Sequence, residues 1–109
     1  MTDPAELTES IRTLLAAPNR GVGAPSLAEL EETLTDGYAH ALSLEAERRR
    51  LRRRIGEVGV ELGYGRSENA AELSSLARRL DSTDGDLTRL RDLLGTLRQR
   101  ASEHRRRAS

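Results

Sequence analysis

Apolar and small residues recur at alternating spacings of three and four over two long stretches, residues 27–62 and 73–104. This spacing places one stripe along each helix and is the pattern of a coiled-coil seam. The first stripe consists of Leu27, Leu30, Leu34, Gly37, Ala41, Leu44, Arg48, Leu51, Ile55, Val58 and Leu62. The second consists of Leu73, Leu76, Leu80, Thr83, Leu87, Leu90, Leu94, Leu97, Ala101 and His104. Because the stripes use most of the apolar residues, we expect helical surfaces rather than an enclosed pocket.

A glycine-rich segment, G-Y-G at 63–65, separates the two stripes. Glycine ends helices readily, and a short connection makes the flanking helices run antiparallel. The sequence therefore predicts an all-α protein with an antiparallel two-helix coiled-coil hairpin over residues 26–104 and a turn near 63–69. Ser26 lies directly before the first stripe and is its expected cap, and Ser67 or Asn69 is expected to cap the second helix. Residues 105–109 are expected to fray as a basic tail.

A short amphipathic helix is predicted within residues 1–17, with Asp3 as its cap. Residues 18–25 read P-N-R-G-V-G-A-P and are the expected linker, because proline and glycine interrupt helices. A free helix of this length is marginal in water, so it must dock on the hairpin, on a second subunit or on a target. The predicted partner or oligomer interface consists of Leu7, Ile11, Leu14, Leu15, Tyr38, Leu42 and Leu93.

Two registers of the seam compete. In the first, Gly37 faces Leu94 and Arg48 faces Thr83, so small residues meet large ones and polar residues meet each other. In the second, shifted by one heptad, Gly37 faces Ala101 and a leucine is stranded in the turn. Burial of a leucine contributes about 1.5–3 kcal/mol, whereas an exposed ion pair contributes about 0–1 kcal/mol, so the first register is favoured.

The first register brings like charges together along one flank of the hairpin. Like charges at this spacing destabilise the pairing of two helices, so the flank would require a partner to neutralise it. The pairs that face each other in this prediction are Glu61 with Glu72, Arg54 with Arg79, and Glu47 with Asp86. This flank and the off-seam apolar residues favour a homodimer.

The run R-R-R-L-R-R-R at 48–54 is the densest cluster of charge, and Arg78 and Arg79 extend it on the second helix. Guanidinium groups bind phosphates and carboxylates, which indicates a contact with an anion or a nucleotide. Glu45 and Glu57, at helical spacing from these arginines, favour internal ion pairs instead. No aromatic residues interleave to stack bases, so nucleic acid is the less favoured partner.

Composition argues against several classes of function. With 36% hydrophobic and 2% aromatic residues, a 109-residue chain has little material to wall an active site. Cysteine is absent, and the two histidines, His40 and His104, lie on different helices, so we expect no metal, no cofactor and no catalysis. No stretch has the roughly 20 apolar residues that span a bilayer, and no secretory signal pattern is visible, so a cytoplasmic protein without membrane contacts is expected.

Two segments, S-L-A-E-L from Ser26 and L-E-A-E-R-R-R-L-R-R-R-I-G-E-V at 44–58, resemble the actinobacterial anti-sigma factors that respond to cyclic-di-GMP. These helical proteins read the dinucleotide with E-x3-S-x2-R-x3-Q-x3-D. The residues that match this motif here are Ser75, Arg78 and Asp86, and Arg48 corresponds on the first helix. Ala71 and Ser82 stand where the family has Glu and Gln. The resemblance implies a regulator that binds a sigma factor and a cyclic dinucleotide.

Two functional hypotheses follow. The first is a non-catalytic, self-associating adaptor, scaffold or regulatory subunit that acts through protein–protein interaction. The second is an anti-sigma-type regulator with an anion or nucleotide contact. The candidate residues for that contact are Arg48, Arg49, Arg52, Arg53, Ser75, Arg78, Arg79 and Asp86.

Overall fold

The computed structural model describes residues 4–65 and 68–108, and within these residues the chain forms helices and no strand. The helices are α1 (Pro4–Ala16), α2 (Leu27–Gly63) and α3 (Asn69–Ala108). The predicted all-α class is therefore confirmed, and α2 and α3 pack together in a way compatible with a hairpin. The predicted caps Asp3 and Ser67 lie outside the described residues. No helix in the described part of the chain is both long enough and apolar enough to cross a membrane.

Local signals define the two ends of α2. The backbone amide of Glu29 donates to Ser26 Oγ at 3.1 Å, which confirms the predicted cap. After Gly63, the amide of Gly65 donates to the carbonyl oxygen of Leu62 at 3.0 Å. Gly65 has a φ of +88°, a conformation that side chains with a β-carbon rarely adopt. The glycines of the turn thus end the helix, as their pattern predicts.

The C-terminal end of α3 differs from its prediction. The helix continues to Ala108, four residues beyond the predicted end at 104. Contacts with other segments hold this last turn in place. The side chain of Arg105 pairs with Glu31 at 3.1 Å, and the guanidinium of Arg107 donates to the carbonyl oxygen of Asn19 at 3.1 Å. Sequence periodicity could not reveal these contacts, because both partners are distant along the chain.

The chain divides into two compact units. The first contains α1, α2 up to Ala41 and α3 from Arg89 onward. Its buried hydrophobic residues are Leu7, Ile11, Leu30, Leu34, Ala41, Leu90, Leu94, Leu97 and Ala101. The second unit comprises Leu42–Thr88. Its core cluster contains Leu51, Val58 and Leu76, with Ile55, Leu73 and Leu80 partly buried against them.

In the first unit, the N-terminal helix docks within the chain itself. Arg100 of α3 holds its C-terminal end: Nη1 donates to the carbonyl oxygens of Leu14 at 2.9 Å and Ala17 at 3.2 Å, and Nη2 donates to that of Leu15. The last carbonyls of a helix have no partner inside the helix, so a guanidinium satisfies them well. Of the alternatives predicted for this helix, the structure shows docking on the rest of the chain.

The packing of Gly37 bears on the two predicted registers of the seam. A β-carbon added at this glycine would meet the side chain of Leu94, whose Cγ would lie 3.3 Å away. Gly37 and Leu94 are therefore neighbours, as the first register predicts and as the second does not. The glycine leaves room for the buried leucine, which is the physical reason for an otherwise unfavourable residue inside a helix.

Candidate interaction surfaces

The prediction of a like-charged flank is wrong, as the contacts of the second unit show. Arg54 pairs with Glu72 at 2.9 Å, and Arg79 pairs with Glu47 at 3.1 Å, so opposite charges meet between the helices. The prediction compared only residues at the same level of the seam. An arginine side chain is long enough to reach a carboxylate on a neighbouring turn of the facing helix. This flank is therefore neutralised within the chain and needs no partner.

The carboxylate of Glu47 is held in a cationic environment. Arg50, three residues further along α2, donates to Glu47 Oε2 at 2.8 Å. This hydrogen bond lowers the pKa of Glu47, and the positive charges of Arg50 and Arg79 lower the pKa further. Hydrogen bonds from Arg54 to Glu72 and Glu57 raise the pKa of that arginine. Arg50, Arg54 and Arg79 are thus committed to internal ion pairs.

Arg48 interrupts the apolar seam of the second unit and faces inward. Its Nη1 lies 3.6 Å from Oδ1 of Asp84, the residue next to the predicted neighbour Thr83. Two buried polar atoms, Arg48 Nε and Asp84 Oδ1, have no hydrogen-bond partner. Incompletely paired charges inside a seam contribute little to stability, although they disfavour other registers. Arg48 is therefore engaged with Asp84 in the structure.

Three exposed arginines of the run have no ion pair among the described residues and are here called the basic surface: Arg49, Arg52 and Arg53. None of their side chains has a hydrogen bond in the described part of the chain either. Their spacing of three and four residues places them side by side on α2. Arg78 of α3 is likewise exposed without a partner among the described residues. The structure thus separates the arginine run into paired and unpaired residues.

The first unit carries a surface of opposite charge, which the sequence interpretation missed. Glu29, Glu32 and Asp36, here called the acidic surface, are exposed residues at helical spacing on α2. Within the described residues, no side-chain ion pair or hydrogen bond involves their carboxylates. The signal was present in the sequence as three carboxylates at spacings of three and four. The arginine run, which is denser, is the more prominent pattern of charge in α2.

The residues of the predicted apolar interface fall into three groups by exposure. In the first unit, Leu7 and Ile11 are buried within the chain. The half-buried members are Leu14, Leu15 and Leu93. Tyr38 of the first unit is 43% exposed, and Leu42 of the second unit is 65% exposed. Of the seven residues predicted for this interface, Tyr38 and Leu42 are the two with exposed side chains.

The candidate nucleotide-contact residues of the second unit differ in exposure and in contacts. Ser75, Arg78 and Asp86 are exposed on α3, and Asp86 has an interaction of its own. Arg48, the corresponding residue of α2, is paired with Asp84. The motif residues that the resemblance assigns to a dinucleotide are thus partly engaged in other contacts.

The described residues contain no group of three or more histidine, aspartate or glutamate side chains arranged to hold a metal ion. His40 and His104 are both half-buried in the first unit, and the Nδ1 atom of His104 is buried without a hydrogen-bond partner.

No family model matches this chain, and no curated protein or solved structure is significantly similar to it.

Proposed function

We propose that this protein is a non-catalytic, self-associating helical protein that acts through protein–protein interaction. One observation carries the proposal: two exposed helical surfaces of opposite charge have no partner for their side chains in the described part of the chain. Exposed Leu42 and Tyr38 add apolar area that solvent covers in a monomer. Because the predicted like-charged flank is neutralised internally, it no longer supports the proposal.

The finer part of the proposal is that α2 and α3 form an antiparallel coiled-coil hairpin. The pairs in contact support it, since the residue number on α3 falls as that on α2 rises. In the first unit these pairs are Glu31 with Arg105 and Gly37 with Leu94. In the second unit they are Arg48 with Asp84 and Arg54 with Glu72. The alternating spacing of the buried residues matches the heptads of such a seam.

A double-mutant cycle at Gly37 and Leu94 tests this register. Gly37→Ala alone places a methyl group against a leucine that is 2% exposed, so we expect the crowding to offset the gain in helix propensity. Combined with Leu94→Ala, the added methyl group fills part of the cavity. The two changes should therefore couple by about 1 kcal/mol in urea denaturation.

The matched control for the cycle is Gly59→Ala, because a β-carbon there meets nothing within 4 Å. Gly59→Ala is expected to stabilise the helix by about 0.5–1 kcal/mol and to be additive with Leu94→Ala. Additivity of Gly37→Ala with Leu94→Ala would contradict the proposed register.

Sedimentation equilibrium of the full chain, from micromolar to millimolar concentration, tests self-association. We expect a monomer–dimer equilibrium in which the dimer weakens as salt is added, because charged surfaces are screened within about 10 Å at 0.1 M salt. A well-folded monomer at every concentration and at low salt would refute self-association.

A further inference from the structure

The sequence of α2 contains a line of four residues that is complementary to an antiparallel copy of itself. Glu32, Ala39, Ala46 and Arg53 follow one another at intervals of seven residues and therefore occupy the same heptad position. When two such lines are placed antiparallel, each Glu32 meets an Arg53 and each Ala39 meets an Ala46. A surface that matches itself after a two-fold rotation is what a symmetric dimer requires.

The residues of this line are exposed or half-buried, so a second molecule can reach them. Glu32 and Ala39 are exposed in the first unit, Arg53 is exposed in the second unit, and Ala46 there is half-buried. Neither Glu32 nor Arg53 has a side-chain partner among the described residues. Small alanine side chains allow two helices to approach closely, because the side chains at the contact set the distance between helix axes.

Leu42 supplies the apolar centre that charged residues alone would lack. It lies near the midpoint between Glu32 and Arg53 in the sequence, and it is 65% exposed. In an antiparallel pair of α2 helices, the two copies of this leucine fall beside the two-fold axis. Contact between them removes apolar surface from water, and the flanking charges set the direction of pairing.

We infer that the occupant of this face is a second copy of the chain, bound α2 to α2 in an antiparallel, two-fold dimer. In this dimer Glu32 of each copy pairs with Arg53 of the other, once at each end of the contact. The inference rests on the proposed function and adds which surfaces meet. A second copy fits better than an unrelated polyanion, because both complementary charges are present in one chain whose net charge is zero.

Charge reversal at the Glu32–Arg53 pair tests the inference by sedimentation equilibrium at low salt. Glu32→Arg places arginines opposite each other at both ends, and Arg53→Glu does the same with glutamates. Each single variant is expected to raise the dimer dissociation constant by about tenfold or more. The variant carrying both changes restores opposite charges and is expected to associate with itself nearly as well as the wild type. An equimolar mixture of the single variants should likewise form a mixed dimer.

Matched controls separate this effect from net charge. Glu6→Arg and Arg78→Glu change exposed residues outside the line by the same amount of charge, and they should leave the dissociation constant unchanged. Circular dichroism of every variant should show wild-type helix content, since each altered residue is exposed.

The outcomes distinguish the inference from the proposed function. If the wild type dimerises but both single reversals dimerise equally well, or if the combined variant fails to recover, this interface is wrong while self-association stands. If the wild type remains a monomer, both the proposed interface and the proposed self-association are refuted. Binding of a DNA duplex that depends on Arg53 in a chain that does not self-associate would identify a polyanion as the occupant and overturn the inference.

Discussion

Arg100→Ala is expected to release α1 and to lower the free energy of unfolding by about 3 kcal/mol. The part-buried guanidinium donates three hydrogen bonds to carbonyl oxygens, those of Leu14, Leu15 and Ala17. Hydrogen bonds to a charged group contribute roughly 1.5–3 kcal/mol each, but water can partly replace the lost donor at a helix end. The expected loss is therefore smaller than the sum of three such bonds.

Hydrogen exchange locates the effect of Arg100→Ala. We expect the amides of α1 to lose protection, whereas those of the second unit keep theirs, because the hydrogen bonds that the structure describes for Arg100 join it to the end of α1. Arg98→Ala is the matched control, since Arg98 lies on the same helix, is exposed and has no side-chain partner within the described residues. Equal protection of α1 in the two variants would show that Arg100 does not hold the helix.

Local sequence signals account for much of the fold. The alternating leucines predict the buried stripes, Ser26 predicts the start of α2, and the turn glycines predict its end. Gly37 shows that an unfavourable residue can be informative. A glycine in a helix costs about 1 kcal/mol relative to alanine, and the packing of Leu94 explains why it is there. These signals are readable because each depends on neighbours in sequence or on one repeating interval.

The contacts that the sequence could not predict join residues far apart along the chain. Arg100 reaches Leu14 across 86 positions, and Arg105 reaches Glu31 across 74. No periodicity marks such pairs, because they depend on where α1 and the linker settle. The predicted like-charged flank failed for a related reason. The pairing of Arg54 with Glu72 depends on the reach of a flexible side chain, which seam positions do not encode.

The candidate surfaces were partly visible in the sequence. The arginine run indicated a positively charged patch, but the run by itself does not show that Arg50 and Arg54 are paired while Arg49 and Arg53 are open. Two different contacts produce this division: Arg54 reaches Glu72 on the facing helix, whereas Arg50 pairs with Glu47 three residues earlier on its own helix. Glu32 lies on the outer side of α2, which its heptad position indicates from the sequence.

Leu97→Ala is expected to have the largest effect of any single truncation considered, a loss of about 3–5 kcal/mol in the free energy of unfolding. Leu97 is 0% exposed in the first unit, where Ile11 is buried to the same extent. Removing the side chain loses burial and leaves a cavity that surrounding helices fill only in part. For a domain whose total stability is about 5–15 kcal/mol, urea denaturation should detect this change readily.

The matched variant is Leu42→Ala, which makes the same chemical change at a residue that is 65% exposed. Measured at concentrations where the chain is monomeric, its loss of stability should stay within about 0.5 kcal/mol, because surface substitutions rarely exceed that value. In sedimentation equilibrium, Leu42→Ala should weaken dimerisation more than Leu97→Ala does, since Leu42 lies in the proposed dimer interface and Leu97 does not. A large loss of monomer stability for Leu42→Ala would show that this leucine supports the fold rather than association.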